Sequence, residues 1–375
     1  MDLRALKRLS GSHSPSIESL RETLPDLEIK IDACFLSNPY ATDLFLKHMN
    51  TDLLEKGGLR DVLEFYPPQN NEVSMHISRA INVERERIFA CNGAIEAITA
   101  VLQNFVEESI CVIIPTFSSY YEFVKPNCKV YFYELGKESE FTLNVDSYLD
   151  FVRNNKIRNV VLINPNNPNG GYISSNEIIF LLDSLADLDC VILDESFIHF
   201  AYESADLDLV GLDRLSSMYP NLVLIKSMSK DFGIAGLRAG YAIMSPERVS
   251  SLLARSYLWN ISGLTNYFFK VYSKEEFRKQ YEVVRKKYIL NTSYFADELN
   301  SINGIKLYPS KANFFLIEIY EKTSYELTFQ LLERFGIYVR DCSDKIGLNG
   351  EFIRVASRSF EENLIITQSL RECLE

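Results

Sequence analysis

Four short segments of the 375-residue sequence combine residue types that could act together on a small ligand: CNGAIEA around Gly93, NPNNPNGG around Asn167, DESF beginning at Asp194, and SMSKDFGIAGLRAGY around Lys230. Together they supply an amine, a carboxylate, a guanidinium, side-chain amides and glycine-rich turns. Each falls at the carboxyl end of a strand pattern, where open α/β sheets place their ligands. Taken singly, each has an ordinary structural explanation. CNGAIEA reads as a strand-to-helix turn, Asn, Pro and Gly dominate reverse turns, and an aspartate at a strand end often caps a helix. Order and interval make them a constellation: Asp194 follows Asn167 by 27 residues, Lys230 follows Asp194 by 36, and Arg238 follows Lys230 by eight.

Other chemistries lack their residues. No Walker A, GxGxxG or GxSxG pattern occurs. The four histidines (13, 48, 76 and 199) never approach metal-ligand spacing, so no metal site is expected. Seven cysteines without a CxxC pair read as reduced thiols in a cytoplasmic protein. With 39 Lys plus Arg against 51 Asp plus Glu, the net charge of −12 lacks the electrostatic footprint of a nucleic-acid binder, although it leaves room for a local anion pocket. No apolar run nears the roughly 18 residues of a spanning helix. The N-terminus, MDLRALKRLSGSHSPS, has no apolar segment of the signal-peptide kind. Neither nucleic acid nor membrane is therefore expected as a partner.

The elements that must position these residues alternate in type. β-rich runs fall at 87–91, 110–115, 130–135, 159–165, 189–195, 221–227 and 240–244, and amphipathic patterns such as SSNEIIFLLDSLADL lie between them. Further helices are expected in SSYYEFV and near 208–218. Near-continuous apolar strands separated by helices predict an α/β domain with a mostly parallel seven-stranded sheet covered on both faces. After about residue 265 a long charged helical stretch leads to IKLYP, NFFLIEI, IYVRD and FIRVAS, a smaller α+β region. The expected organisation is an N-terminal arm (1–40) packing with the small domain, a large domain (41–264) and a small C-terminal domain (265–375).

The constellation resembles the fold-type I pyridoxal-phosphate enzymes of the class I/II aminotransferase superfamily, and within it the histidinol-phosphate aminotransferase and threonine-phosphate decarboxylase branch. The resemblance runs from SNPYATDL (37–44) to FIRVASRSFEENL (352–364). It implies pyridoxal 5′-phosphate as cofactor, with Lys230 as the Schiff-base amine and Asp194 as partner of the pyridine nitrogen. Gly93, Ala94 and Ile95 at a helix start, with Ser227, Ser229 and Arg238, would hold the cofactor phosphate. Asn167 would bond the ring hydroxyl and Tyr120 would stack on the ring face. Tyr66 would reach the cofactor phosphate of a neighbouring subunit, which implies a homodimer. With 21 tyrosines in the chain, core or surface packing is the alternative for both Tyr66 and Tyr120. Arg354 would grip the substrate carboxylate in a bidentate fork, with Tyr40, Asn260 and Arg340 as further substrate-side residues. Arg358 and His13 are weaker candidates, His13 for a substrate phosphate.

The sequence departs from the family pattern at two places. Phe197 stands where the common motif has a tyrosine that donates to the ring oxygen, and Asn169 replaces the usual Thr. Without the tyrosine donor the ring phenolate is less stabilised, so the Lys230 Schiff base should stay protonated to higher pH than in tyrosine-containing relatives. The leading expectation is an aminotransferase that moves an amino group from glutamate to a small oxo acceptor, phosphorylated or not. The alternative is a decarboxylase of a phosphorylated amino acid. Whichever Cα bond stands perpendicular to the cofactor plane breaks. Arg354 holding the α-carboxylate in plane gives transamination, whereas arginines anchoring a phosphate free the carboxylate to leave.

Overall fold

The computed structural model describes residues 6–7, 10–255 and 257–374; residues 1–5, 8 and 9 of the expected arm lie outside that description. A short strand, β1 (Ile31–Asp32), precedes the seven strands of the main sheet: β2 (Ile88–Asn92), β3 (Ser109–Ile114), β4 (Lys129–Glu134), β5 (Asn159–Ile163), β6 (Cys190–Asp194), β7 (Leu222–Ser227) and β8 (Ala239–Ile243). Their order is β2-β8-β7-β6-β5-β3-β4. All run parallel except β8, which pairs antiparallel with both its neighbours.

The apolar runs explain the layering. Every residue of β3, β5, β6 and β7 is buried, as strands covered on both faces require. Alternate residues serve opposite faces. Cys111, Ile113, Val160, Leu162, Val191 and Leu193 join one core with the helices Asn70–Ile81, Val145–Asn154, Ser175–Ser184 and Gly263–Tyr272. Ile110, Val112, Val161, Ile163, Ile192 and Val223 join the other, with the helices Ala94–Phe105 and Pro246–Leu253. Strand β4, at the edge, has a partly exposed pattern. The expected helix in SSYYEFV is only Ser119–Glu122, and the region near 208–218 holds a single 3-10 turn, Asp213–Ser217.

A second, antiparallel sheet follows, built from β9 (Ile305–Leu307), β10 (Phe314–Ile319), β12 (Arg340–Asp341) and β13 (Glu351–Ala356) in the order β12-β13-β10-β9. The run IYVRD is not one strand. Its first half, β11 (Ile337–Tyr338), pairs parallel with β1, Ile31 opposite Ile337, while β12 pairs with β13, Arg340 opposite Arg354. Arm residues Ile31 and Ala33 enter one core with Leu331 and Val355, and Leu6, Leu20 and Cys34 enter another with Leu332 and Tyr338. This split of one apolar run between two partners places two arginines opposite each other on adjacent strands.

Candidate active site

The carboxyl ends of β5, β6 and β7 open on a cavity of about 380 Å3. Ala94, Ile95, Asn167, Asp194, Ser227, Ser229, Lys230 and Arg238 line it from the main sheet, Arg340, Lys345 and Arg354 from the second sheet and its turn, and Ser12, His13 and Ser14 from the arm. The parallel register brings the first group together: Ile163 pairs with Asp194, and Asp194 with Ile225, so three strands end at one level.

Lys230 lies just past β7, its backbone carbonyl accepting from Asn38 N at 3.0 Å. Burial, with the positive charges of Arg354 and Arg238 adding to it, pushes the amine down to about 8. Asp194, at the end of β6, is 4% exposed. Its Oδ2 accepts from the Tyr120 hydroxyl at 2.7 Å and its Oδ1 from Ser196 N at 2.8 Å. Burial nevertheless pushes its carboxyl up, outweighing those hydrogen bonds and the pull of the Lys226 charge. Gly93 (φ 75°) starts the helix Ala94–Phe105, and a Cβ there would lie 2.4 Å from Arg238 Nη2. Arg238 itself has φ 60°, with Nη1 on Ala235 O at 2.8 Å. Helix start and guanidinium thus share one corner, as a phosphate site requires. A Gly93→Ala substitution is expected to weaken cofactor phosphate binding on the order of 10-fold or more, since it strains the backbone and displaces Arg238; a cofactor titration followed by absorbance measures it.

The substrate-side expectations divide. Arg354 lies in the cavity, Nη1 on Asn167 Oδ1 at 2.6 Å and Nη2 on Cys34 O at 2.7 Å, its buried Nε without a partner. Arg340 lies there too, Nη2 on Ser12 O at 2.9 Å. Tyr40 and Asn260 do not line it. The Tyr40 hydroxyl accepts from Phe360 N at 3.0 Å, and Asn260 Nδ2 is taken by Glu96 Oε2 at 2.8 Å. Arg358 is likewise outside the lining, donating to Ser37 O. Tyr66 is 83% exposed against Trp259, away from its own chain's cavity.

The stacking position expected of Tyr120 is corrected. Tyr120 is fully buried and turned to Asp194, and Phe117, three residues earlier, is the aromatic of that loop on the cavity wall. Phe197 also faces the cavity, edge-on to Phe314 at 5.1 Å. Asn169 serves its own loop, accepting from Asn166 Nδ2 at 2.7 Å. The sequence reading missed Phe117, Ser12, Ser14 and Lys345. Of these only Phe117 carried a local signal, an aromatic in the same PTFSSYYEF segment.

The set fits pyridoxal phosphate on its own chemistry. A depressed amine, a buried carboxylate, a helix start paired with a guanidinium, and an aromatic wall converge on one cavity. Among the described residues no group of His, Cys, Asp or Glu could hold a metal ion, and no helix is long and apolar enough to cross a membrane.

A model of the family Aminotransferase class I and II matches residues 49–363. Over 369 residues the chain is 49% identical to an L-serine phosphate decarboxylase of Campylobacter jejuni, covering 98% of this chain and 95% of that protein. It is 44% identical to an L-serine phosphate decarboxylase of Sulfurospirillum multivorans, covering 99% and 95%. A solved decarboxylase from Sulfurospirillum multivorans superposes with a TM-score of 0.96 at 43% identity, covering 100% of this chain and 95% of that one. These relatives overturn the aminotransferase expectation, and the amino donor and oxo acceptor go with it. Both reactions need the same cofactor-holding residues. The choice between them lies in how the substrate's anions are held, which a list of motifs does not carry.

Proposed function

The chain belongs to the class I and II aminotransferase family, whose cofactor is pyridoxal 5′-phosphate, and from that premise we propose that it decarboxylates a phosphorylated amino acid of the L-serine O-phosphate kind. The products are CO2 and the corresponding phosphorylated amine.

The observation that carries the reading is the buried pair Arg340 and Arg354, directly opposite each other on β12 and β13. Like charges facing across a sheet destabilise it; Asp344 offsets part of that cost at Arg340, and an anion at Arg354 would offset more. Five cationic side chains line the cavity (Lys230, Arg238, Arg340, Lys345 and Arg354) against one carboxylate, Asp194. With Lys230 assigned to the imine and Arg238 to the cofactor phosphate, three cations remain. Asp344 pairs with Arg340, and among the described residues Lys345 and Arg354 have no carboxylate partner, which suits a substrate whose phosphate and carboxylate are both anionic.

Bound in the cavity, pyridoxal phosphate supplies the electron sink for the pair left at Cα when a bond there breaks. Ser227, Ser229, Arg238 and the amides at Ala94 and Ile95 would hold its phosphate, Asp194 would keep its ring nitrogen protonated, and Phe117 would supply an aromatic wall. Asn167 Oδ1 accepts from Arg354, which leaves the Asn167 Nδ2 to donate to the ring oxygen. Arg340 and its neighbours take the substrate phosphate, so the α-carboxylate is not clamped in plane. Lys230 then delivers a proton to Cα in place of the lost carboxylate.

Family members are typically homodimers, and we place Tyr66 at such an interface. Exposed Leu63, Phe65, Tyr66, Leu258 and Trp259 support this, since soluble monomers rarely expose such a group of apolar side chains. A cytoplasmic location agrees with seven free cysteines, all buried.

Incubation with O-phospho-L-serine tests the reading. Stoichiometric CO2 and ethanolamine phosphate, with no oxo acid formed from L-glutamate, is the expected result. Oxo acid from glutamate with no CO2 from either phosphoserine or phosphothreonine would sink it.

A further inference from the structure

Charge is unevenly settled at the outer end of the cavity. Arg340 has a carboxylate partner, its Nη2 donating to both oxygens of Asp344 at 2.9 and 2.7 Å, and Asp344 is shared with Lys7 Nζ at 2.9 Å. Lys345, the next residue, faces the same cavity and is 8% exposed. Among the described residues no carboxylate lies within 4.0 Å of its Nζ. Burial, with Arg340 adding to it, pushes this amine down to about 8. A buried cation without a counter-ion is costly unless a ligand supplies one.

The fold delivers Lys345 there deliberately. It sits in the turn between β12 and β13, closed by Lys345 N on Cys342 O at 3.0 Å and Leu348 N on Lys345 O at 3.2 Å. Gly347 (φ 87°) brings the turn against the end of β3, where a Cβ would lie 3.1 Å from Pro115 N. A side chain there would lift the turn away. Across the cavity the arm is tied down by Ser12 Oγ, 2.7 Å from Ser118 Oγ, while the His13 ring leans on Phe117 at 5.8 Å. Ser12 and Ser14 thus face Lys345 and Arg340 across the same space.

We propose that Lys345 is the residue that selects a doubly charged phosphate monoester, forming with Arg340 and the Ser12 and Ser14 hydroxyls the subsite for the substrate's phosphate. This deepens the decarboxylase reading and rests on it. The dianion gives Lys345 its missing counter-ion, and its three terminal oxygens reach an amine, a guanidinium and hydroxyls at once. A single planar carboxylate cannot serve all of them.

The test uses the holoenzyme. Lys345→Gln is expected to raise KM for O-phospho-L-serine, and the dissociation constant of inorganic phosphate measured by calorimetry, by roughly 10- to 100-fold. kcat should move less than about threefold, and Lys345→Arg should recover most of the affinity. Unchanged KM and phosphate affinity in Lys345→Gln would overturn the proposal. Loss of phosphate affinity in an enzyme that releases no CO2 from phosphoserine would uphold the subsite while sinking the decarboxylase reading. A wild-type measurement avoids any folding defect. Methyl phosphate, a dianion, should bind at least about 10-fold tighter than dimethyl phosphate, a monoanion, and equal binding would again overturn the proposal.

Discussion

Lys230→Ala is expected to lower CO2 release from O-phospho-L-serine by at least about 10^4-fold, the largest loss from any single substitution. Two jobs fall on one amine: it holds the cofactor, and it supplies the proton that replaces the carboxylate. The first needs an amine that is neutral part of the time and the second an amine that is protonated part of the time. An unperturbed lysine with a pKa near 10.4 is neutral about 0.1% of the time at pH 7.5. Pushed to about 8 by burial with Arg354 and Arg238 nearby, Lys230 is neutral roughly a quarter of the time. The direction follows from charge. Below about pH 8 the amine is an ammonium and cannot attack the aldehyde; above it the free base dominates. Cofactor uptake by the apoenzyme should therefore speed up with pH through about 8 and then level off. Lys230→Arg keeps a cation but no usable free base, so it should lose activity as fully as alanine. Both variants should lack the visible band of lysine-bound cofactor. An alanine variant that retains more than a few per cent of turnover would remove Lys230 from the chemistry.

What could be read from the sequence was what is encoded locally. Strands such as SICVII and CVILD announce burial on both faces by carrying no polar side, and both are fully buried in the main sheet. Lys230, Asp194, Asn167 and Arg238 sit in segments whose composition sets them apart, and all four line the cavity. Long-range register leaves no such mark. Nothing in IYVRD says that its halves pair with different strands, and only that division sets Arg340 opposite Arg354. Lys345 lies in DCSDKIG, which looks like any solvated turn until Gly347 seats it against Pro115. Tyr120 and Phe117 are both aromatic, and the tight turn at Ser119–Glu122 decides that the tyrosine faces Asp194, 74 residues away, while Phe117 meets the cavity. The choice of reaction is hidden from the sequence for the same reason. The residues that hold the cofactor are local motifs, whereas those that hold the substrate's anions are brought together by the fold.

The second large effect belongs to Asp194. Asp194→Asn should lower turnover on the order of 10^3-fold and leave the fold intact, because the amide keeps the shape of the carboxylate without its charge. Burial pushes the Asp194 carboxyl up, and a ring N–H+ held beside it would be stabilised by the attraction between the two charges. At about 4 Å and an effective dielectric near 20, that attraction amounts to about 4 kcal/mol, or roughly three decades in rate when it appears only as charge develops. Tyr120→Phe is the control that separates charge from orientation. It removes one hydrogen bond to Asp194, at 2.7 Å, and leaves the carboxylate in place. Its cost should stay near 1–2 kcal/mol, about 10-fold in kcat. Comparable losses in the two variants would mean that Asp194 acts by positioning alone. A loss in Asp194→Asn about a hundredfold greater would tie the rate to the protonated ring.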